Sequence, residues 1–205
     1  MGVNRAVKEI NSWVLASHNR GKINEISEIL KPFGIELQSA ADFSLSEPDE
    51  TEPTFAGNAL LKARAASDAT GLPALADDSG LCVTALKGQP GIHSARWAGE
   101  PRDFGRAMRR IEAELQDSGK TDRSAAFVCV LALVVPGEPD RIYEGRVAGE
   151  MVWPPRGDSG FGYDPVFQPE GEVRVFAEMS PLEKASMSHR ARALSALIAA
   201  EFDHD

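Results

Sequence analysis

The stretch WVLASHNRGKINEISEIL, Trp13 to Leu30, decides how the rest of the chain is read. Trp13-Val14-Leu15-Ala16 is an apolar run with the length of a short buried strand. Beyond it Ile23, Ile26, Ile29, Leu30 and Phe33 recur at helical spacing, and Pro32 and Gly34 mark the end of that helix. A strand that passes through a polar loop into a helix opens an α/β unit. The loop, Ser17-His18-Asn19-Arg20-Gly21-Lys22, gathers backbone N–H groups and an ammonium at the positive end of a helix, which suits an anion such as phosphate. It is not the phosphate loop that ends in Gly-Lys-Ser/Thr, because Ile23 follows Lys22. It reads equally well as a capped helix start.

The same alternation continues outward. Ile35 to Gln38 is strand-like, and the acidic loop SEPDETEP, Ser46 to Pro53, follows it. An Ala-rich helix is expected from about Thr54 to Thr70, stopping at Gly71. Pro73 to Ala76 and Leu81 to Leu86 read as strands on either side of an Asp77-Asp78-Ser79-Gly80 turn. The Gly- and Pro-rich segment KGQPGIHSARWAGEPR, Lys87 to Arg102, has the composition of an ordered surface loop. Asp103 to Leu115 reads as a helix. Ala126 to Val135 is continuously apolar, the pattern of a strand buried on both faces. Arg141 to Val152 and Val166-Phe167 supply further strand, and Ser180-Pro181-x-Glu183 is a capping box with Pro at the first helical position. The whole is an α/β chain around a mostly buried central sheet.

Composition narrows the function classes. The chain has 205 residues, ordinary hydrophobic content (42%) and a formal net charge of -9. That balance argues against nucleic acid as the main partner, since backbone affinity requires a basic face. One nucleotide remains compatible with it if a few cations converge and a metal ion assists. No apolar run approaches a membrane span. The N-terminal segment lacks the apolar core of a secretory signal, and MGVNRA places Ala6 where a myristoylation motif wants Ser or Thr. Cys82 and Cys129 sit in apolar surroundings, as expected of buried thiols in a reducing cytoplasm. The four histidines have no zinc-ligand spacing.

Two acidic segments invite a chemical explanation. Adjacent carboxylates at Asp77 and Asp78 beside an apolar run are costly unless a cation or donor offsets their burial. Magnesium is held by one or two carboxylates, with waters and substrate phosphates completing the octahedron. One carboxylate from the 77–78 pair and one from the acidic loop would make such a site, although an ordinary turn reads equally well for the pair and such a loop is usually just a solvated face. In RGDSGFGYDP, Arg156 to Pro165, Phe161 and Tyr163 flanking Gly162 would expose two aromatic faces for a base, and Asp164 would fix the loop or accept from a ligand. Lys184 and His189 lie five positions apart, about 140° around an unbroken helix. If they share a pocket, the helix must break near Ser186 to Ser188, with Ser188 capping a new helix whose buried stripe is Leu194, Leu197 and Ile198.

Taken in order, SHNRGK, TFAGNALLKARAA, LADDSGL, PGIHSARWAG, SGFGYDPVF and EKASMSHRARAL resemble the inosine/xanthosine triphosphate pyrophosphatase family, the Ham1-like enzymes, and their bacterial branch in particular. The resemblance spans about Trp13 to Phe202. It implies an elongated mixed sheet flanked by helices as one ITPase-like domain over residues 1–205, with 1–11 as an N-terminal extension and an active-site cleft between two lobes. It implies a homodimer and magnesium-dependent hydrolysis of ITP, dITP and XTP to the monophosphate and pyrophosphate. By the same resemblance Ser17, His18, Asn19, Arg20, Gly21 and Lys22 form the triphosphate loop, and Lys62 stands near the phosphates. Asp78 is proton acceptor and metal ligand, Ser79 touches the substrate, and Glu50 is the second metal-linked carboxylate. Phe161, Gly162, Tyr163, Asp164, Lys184, His189 and Arg190 bind the nucleoside. The family usually has Gly shortly after its acidic pair, where this chain has Glu52, which leaves Asp49, Glu50 and Glu52 as candidates for the second carboxylate. Two other readings compete: a pyrophosphatase for modified pyrimidine nucleotides, and a non-catalytic nucleotide sensor.

Overall fold

A computed structural model describes residues 11–18 and 20–202, with the backbone alone for Arg20, Gly21 and Glu25. The elements in chain order are β1 (Ser12–Leu15), α1 (Arg20–Leu30), β2 (Glu36–Ser39), α2 (Phe55–Thr70), β3 (Ala74–Val83), α3 (Ser94–Ala98), α4 (Phe104–Asp117), β4 (Ser124–Val134), β5 (Arg141–Met151), β6 (Phe167–Pro169), α5 (Pro181–Met187) and α6 (His189–Glu201). The strands form one six-stranded sheet in the order β2-β1-β3-β4-β5-β6. β1 runs parallel to both β2 and β3, with Leu15 opposite Ser39 and Leu75, while β5 and β6 are antiparallel. The α/β class and the mixed sheet agree with the sequence reading.

Local chemistry accounts for most element ends. Thr54 caps α2 by accepting from the Gly57 N–H, and Gly71 ends it in the left-handed conformation that favours glycine. Asp103 caps α4 in the same manner. Ser180 and Glu183 form the expected capping box at α5. The break ahead of His189 falls where the Lys184–His189 spacing required it: α5 stops at Met187, and the Ser188 hydroxyl accepts from the Ala191 N–H to start α6. Leu194 and Leu197 of α6 are buried and Ile198 partly so.

Two expectations fail. The 77–80 segment is not a turn between strands; β3 runs unbroken from Ala74 to Val83. Gly80 carries no positive φ, so nothing in the backbone bends there. The segment after Lys87 is not a surface loop either. It forms a short 3-10 turn at Gly91–His93 followed by α3, with Ser94, Trp97 and Ala98 buried. Trp97 stacks under the Arg110 guanidinium at 3.6 Å, and the Ser94 hydroxyl accepts from the Leu81 N–H. Gly and Pro density marked its irregular backbone correctly, but the buried Trp outweighed it.

The chain divides into two compact units, residues 1–78, 130–144 and 194–205 in one, and 79–129 and 145–193 in the other. In the first, Val14, Ala66 and Ala74 form a core with Phe43, Leu45 and Leu72 packed against it. The core of the second gathers Leu81, Trp97, Ile111, Phe127, Phe167 and Phe176 among others. Gly145 of β5 lies there directly under the start of α6, where an added Cβ would come within 2.0 Å of the His189 carbonyl oxygen and 2.3 Å of the Ala193 nitrogen. Backbone atoms cannot yield as a flexible side chain would. Gly145→Ala should therefore destabilise the protein by about 3 kcal/mol in urea denaturation, the upper part of the overpacking range. A variant as stable as the wild type would show that α6 does not approach β5 so closely.

Candidate active site

In the first unit, four side chains from α1, α2 and the acidic loop gather around the two carboxylates of β3. Successive residues of a strand point to opposite faces, so the two aspartates of β3 are not a facing pair. The Lys22 ammonium donates to both carboxylate oxygens of Asp77, at 2.9 and 2.7 Å. Asp78 accepts from the Asn58 amide at 3.1 Å. Four residues further along α2, and so on the same helical face as Asn58, the Lys62 ammonium bonds Glu50 at 2.7 Å. Asp77, Asp78, Asn58 and Lys62 are all buried. The buried stripe of α2 thus carries an amide and an ammonium among alanines, a pattern that polar side chains adopt only when partners offset their desolvation.

Charge state follows from this arrangement. Burial pushes the Asp78 carboxyl up from its ordinary 3.8 to about 6; Lys62 opposes the rise, Glu50 adds to it, the Asn58 bond lowers it and Asp77 adds again. Burial works against the Lys62 charge, but the Glu50 hydrogen bond and the fields of Asp78 and Asp77 hold its pKa above the usual value. Among the described residues no three His, Cys, Asp or Glu side chains gather closely enough to form a protein-only metal cage. Magnesium does not need one, and a partly buried carboxylate with a second acid in its field is the donor set it favours.

Glu52 has no left-handed backbone, so its position does not demand the glycine that the family usually places there. Glu52 instead lies on α2, where a Cβ on Gly57 would meet its own Cβ at 2.6 Å. Glu50 is the acid of this loop that enters the field of Asp78. A cavity of about 220 Å³ beside it has His18, Leu45, Pro48, Lys62 and Ala66 in its lining. The His18 ring bonds the Leu45 carbonyl at 3.0 Å, and Ser17 is buried. Asn19 lies outside the described residues, as does the side chain of Arg20.

In the second unit, the Gly160–Asp164 loop is held by one carboxylate. Asp164 is buried and accepts from the Phe161 N–H at 2.6 Å and from Lys184. Gly160 and Gly162 have positive φ, and a Cβ on Gly160 would fall 2.3 Å from the Asp164 carboxylate. Of the two aromatic faces expected here only one is displayed. Phe161 is 66% exposed, whereas Tyr163 is buried, gives its hydroxyl hydrogen to the Ser94 carbonyl at 2.7 Å and packs edge-on against Phe104. Burial raises the Tyr163 pKa, with Arg110 pulling the other way. Tyr163 therefore anchors the loop. His189 stacks on Phe127 with 4.9 Å between ring centroids, and Arg190 follows it, half-buried, on the first turn of α6. Ser79, next to Asp78 in β3, is half-buried.

Asn58, which joins Asp78 and the acidic loop, was not among the residues expected at this site. Its signal was the i, i+4 spacing to Lys62 inside TFAGNALLK, which puts both on one helix face.

The chain thus has an α/β fold with a buried acid near lysines in one unit and, in the other, a glycine-rich loop that displays an aromatic ring. The chain is a member of the Ham1 family, whose model matches residues 13–200. It is 55% identical over 190 residues to the dITP/XTP pyrophosphatase of Caulobacter vibrioides, covering 93% of this chain and 97% of that one. It is also 55% identical to the dITP/XTP pyrophosphatase of Gluconobacter oxydans, over 90% of this chain and 88% of the other. A HAM1 protein structure from Coxiella burnetii superposes with a TM-score of 0.89 at 41% identity, over 93% of this chain and 98% of that one.

Because the folded-state pKa of Asp78 lies above its unfolded value of 3.8, the folded protein holds this proton the more tightly. The stability so gained is present below pH 3.8 and is lost as pH rises through about 6. In metal-free protein, Asp78→Asn should thus raise stability at pH 7 by on the order of 1–3 kcal/mol. The gain should vanish in acid. Urea denaturation with a chelator at both pH values checks this; a variant less stable at pH 7 would contradict it.

Proposed function

We propose that the protein hydrolyses ITP, dITP and XTP to the nucleoside monophosphate and pyrophosphate, removing non-standard purines from the nucleotide pool. The observation that carries this reading is Asp78: a buried carboxylate placed beside Lys62, Glu50 and Asn58. The names of the relatives point to the same chemistry.

The reaction needs water to attack the α-phosphorus. Asp78 orients that water and takes its proton, and the bond from the α-phosphorus to the bridging oxygen breaks as pyrophosphate leaves. A carboxylate whose pKa is raised toward neutrality accepts a proton more readily than an exposed one, yet remains mostly ionised at pH 7. Lys22 and Lys62 counter the charge on the phosphate oxygens, with Ser17, His18, Asn19, Arg20, Gly21 and Ser79 completing the phosphate contacts. Asp77 keeps Lys22 in place. Magnesium, held by Asp78 and Glu50, would supply further charge neutralisation on those oxygens.

Phe161 offers its exposed ring to the base, and the Gly162 backbone allows close approach. Lys184 and His189 bind the nucleoside, Tyr163 and Asp164 keep the loop in shape, and Arg190 with the backbone near His189 donates to the oxygen at C6 of the purine. Adenine carries an amino group there, so two donors would oppose each other, and a site built to donate rejects it. Discrimination against guanine must act on its 2-amino group. The assembly is a homodimer and the setting cytoplasmic, in keeping with the family resemblance. Among the described residues no helix is long and apolar enough to cross a membrane.

Pyrophosphate release from dITP, with and without magnesium, tests this directly. Asp78→Asn should lower kcat by at least about 100-fold, the lower limit for a general base. Arg190→Ala should lower kcat/KM for dITP by about 10-fold or more while moving the melting temperature little. A panel of dITP, XTP, dTTP and UTP with a preference for the pyrimidines would overturn the purine reading.

A further inference from the structure

We infer that Asn58 is a positioning residue that couples the acidic loop to the carboxylate of Asp78 through the two ends of one amide. The inference rests on the roles proposed above for Asp78 and Glu50. Asn58 is fully buried. Its Oδ1 accepts from the Glu52 N–H at 3.0 Å and its Nδ2 donates to Asp78 Oδ2 at 3.1 Å. The partners fix the direction of the amide, because the reverse orientation would set oxygen against carboxylate and NH₂ against N–H. No other side chain of similar size offers a donor and an acceptor on separate atoms; a hydroxyl would have to serve both partners from one oxygen, and a carboxylate would repel Asp78.

The surroundings hold this clasp from both sides. The Asn58 N–H bonds the Thr54 carbonyl while the Thr54 hydroxyl caps Gly57, so the residue sits in the capped first turn of α2. The bare Gly57 lets Glu52 lie close on that turn. Two residues before Glu52 the chain carries Glu50, which is tied to Lys62 one turn along the same face of α2. Glu50 and Asp78 therefore take their relative placement from one helix: Lys62 fixes the first acid, and Asn58 fixes the second together with the backbone of the loop. A displaced carboxylate at a reacting centre costs rate far more than it costs folding.

The test compares Asn58→Leu, which removes both bonds, with Asn58→Asp, which keeps an acceptor for Glu52 but loses the donor and places a like charge beside Asp78. Both should lower kcat for dITP by about 10- to 100-fold with KM changed less than about threefold. Amide hydrogen exchange gives a readout independent of turnover. The Glu52 N–H should be protected in the wild type and in Asn58→Asp, and should lose protection in Asn58→Leu. Wild-type kcat in both variants, with Asp78→Asn inactive, overturns the clasp alone. An unprotected Glu52 amide in the wild-type protein also overturns it, whether or not the variants fold. Full activity in Asp78→Asn instead overturns the base assignment on which the clasp depends.

Discussion

The constraint on which the rest depends is the compensation of buried carboxylates by lysines reaching them from two helices. Asp77 and Asp78 are both nearly inaccessible, on a strand in the middle of the sheet order. Unpaired, either charge would cost several kcal/mol. Lys22 from α1 answers Asp77 in a two-point contact. Asp78 accepts from the Asn58 amide and lies in the field of Lys62, which bonds Glu50. The two aspartates meet different partners because strand alternation sends neighbours to opposite faces.

Seen from that constraint, several local features acquire a reason. The acidic loop must lie close to α2 if Glu50 is to reach Lys62, and Gly57 and the Thr54 cap allow that approach. The loop from Gly160 to Asp164 is held differently in the second unit, where one buried carboxylate binds a backbone N–H and a lysine. There an acid that would be a liability in a plain core organises a loop.

Much of this was legible in the sequence. Thr54 and Gly71 bounded α2, Ser180 and Glu183 started α5, and the demand that Lys184 and His189 serve one purpose located the helix break at Ser188. What could not be read were features decided by contacts distant in the chain. A pair of aspartates before Ser-Gly suggests a turn by composition, and only sheet pairing together with Lys22 makes an uninterrupted strand the better solution. Tyr163 looked like a displayed ring because its local sequence is that of an exposed loop; its place in the core depends on the Ser94 carbonyl, 69 positions away. Asn58 resembled any polar residue of an Ala-rich helix until its two partners were known.

The most direct measurement of the central claim is the carboxyl carbon resonance of Asp78, followed by pH titration of ¹³C-labelled protein with and without magnesium. The account predicts a midpoint near 6 in metal-free protein, and a large downward displacement once the cation is added, since a bound cation favours the ionised form. A midpoint in the ordinary carboxylate range that does not respond to magnesium would contradict it.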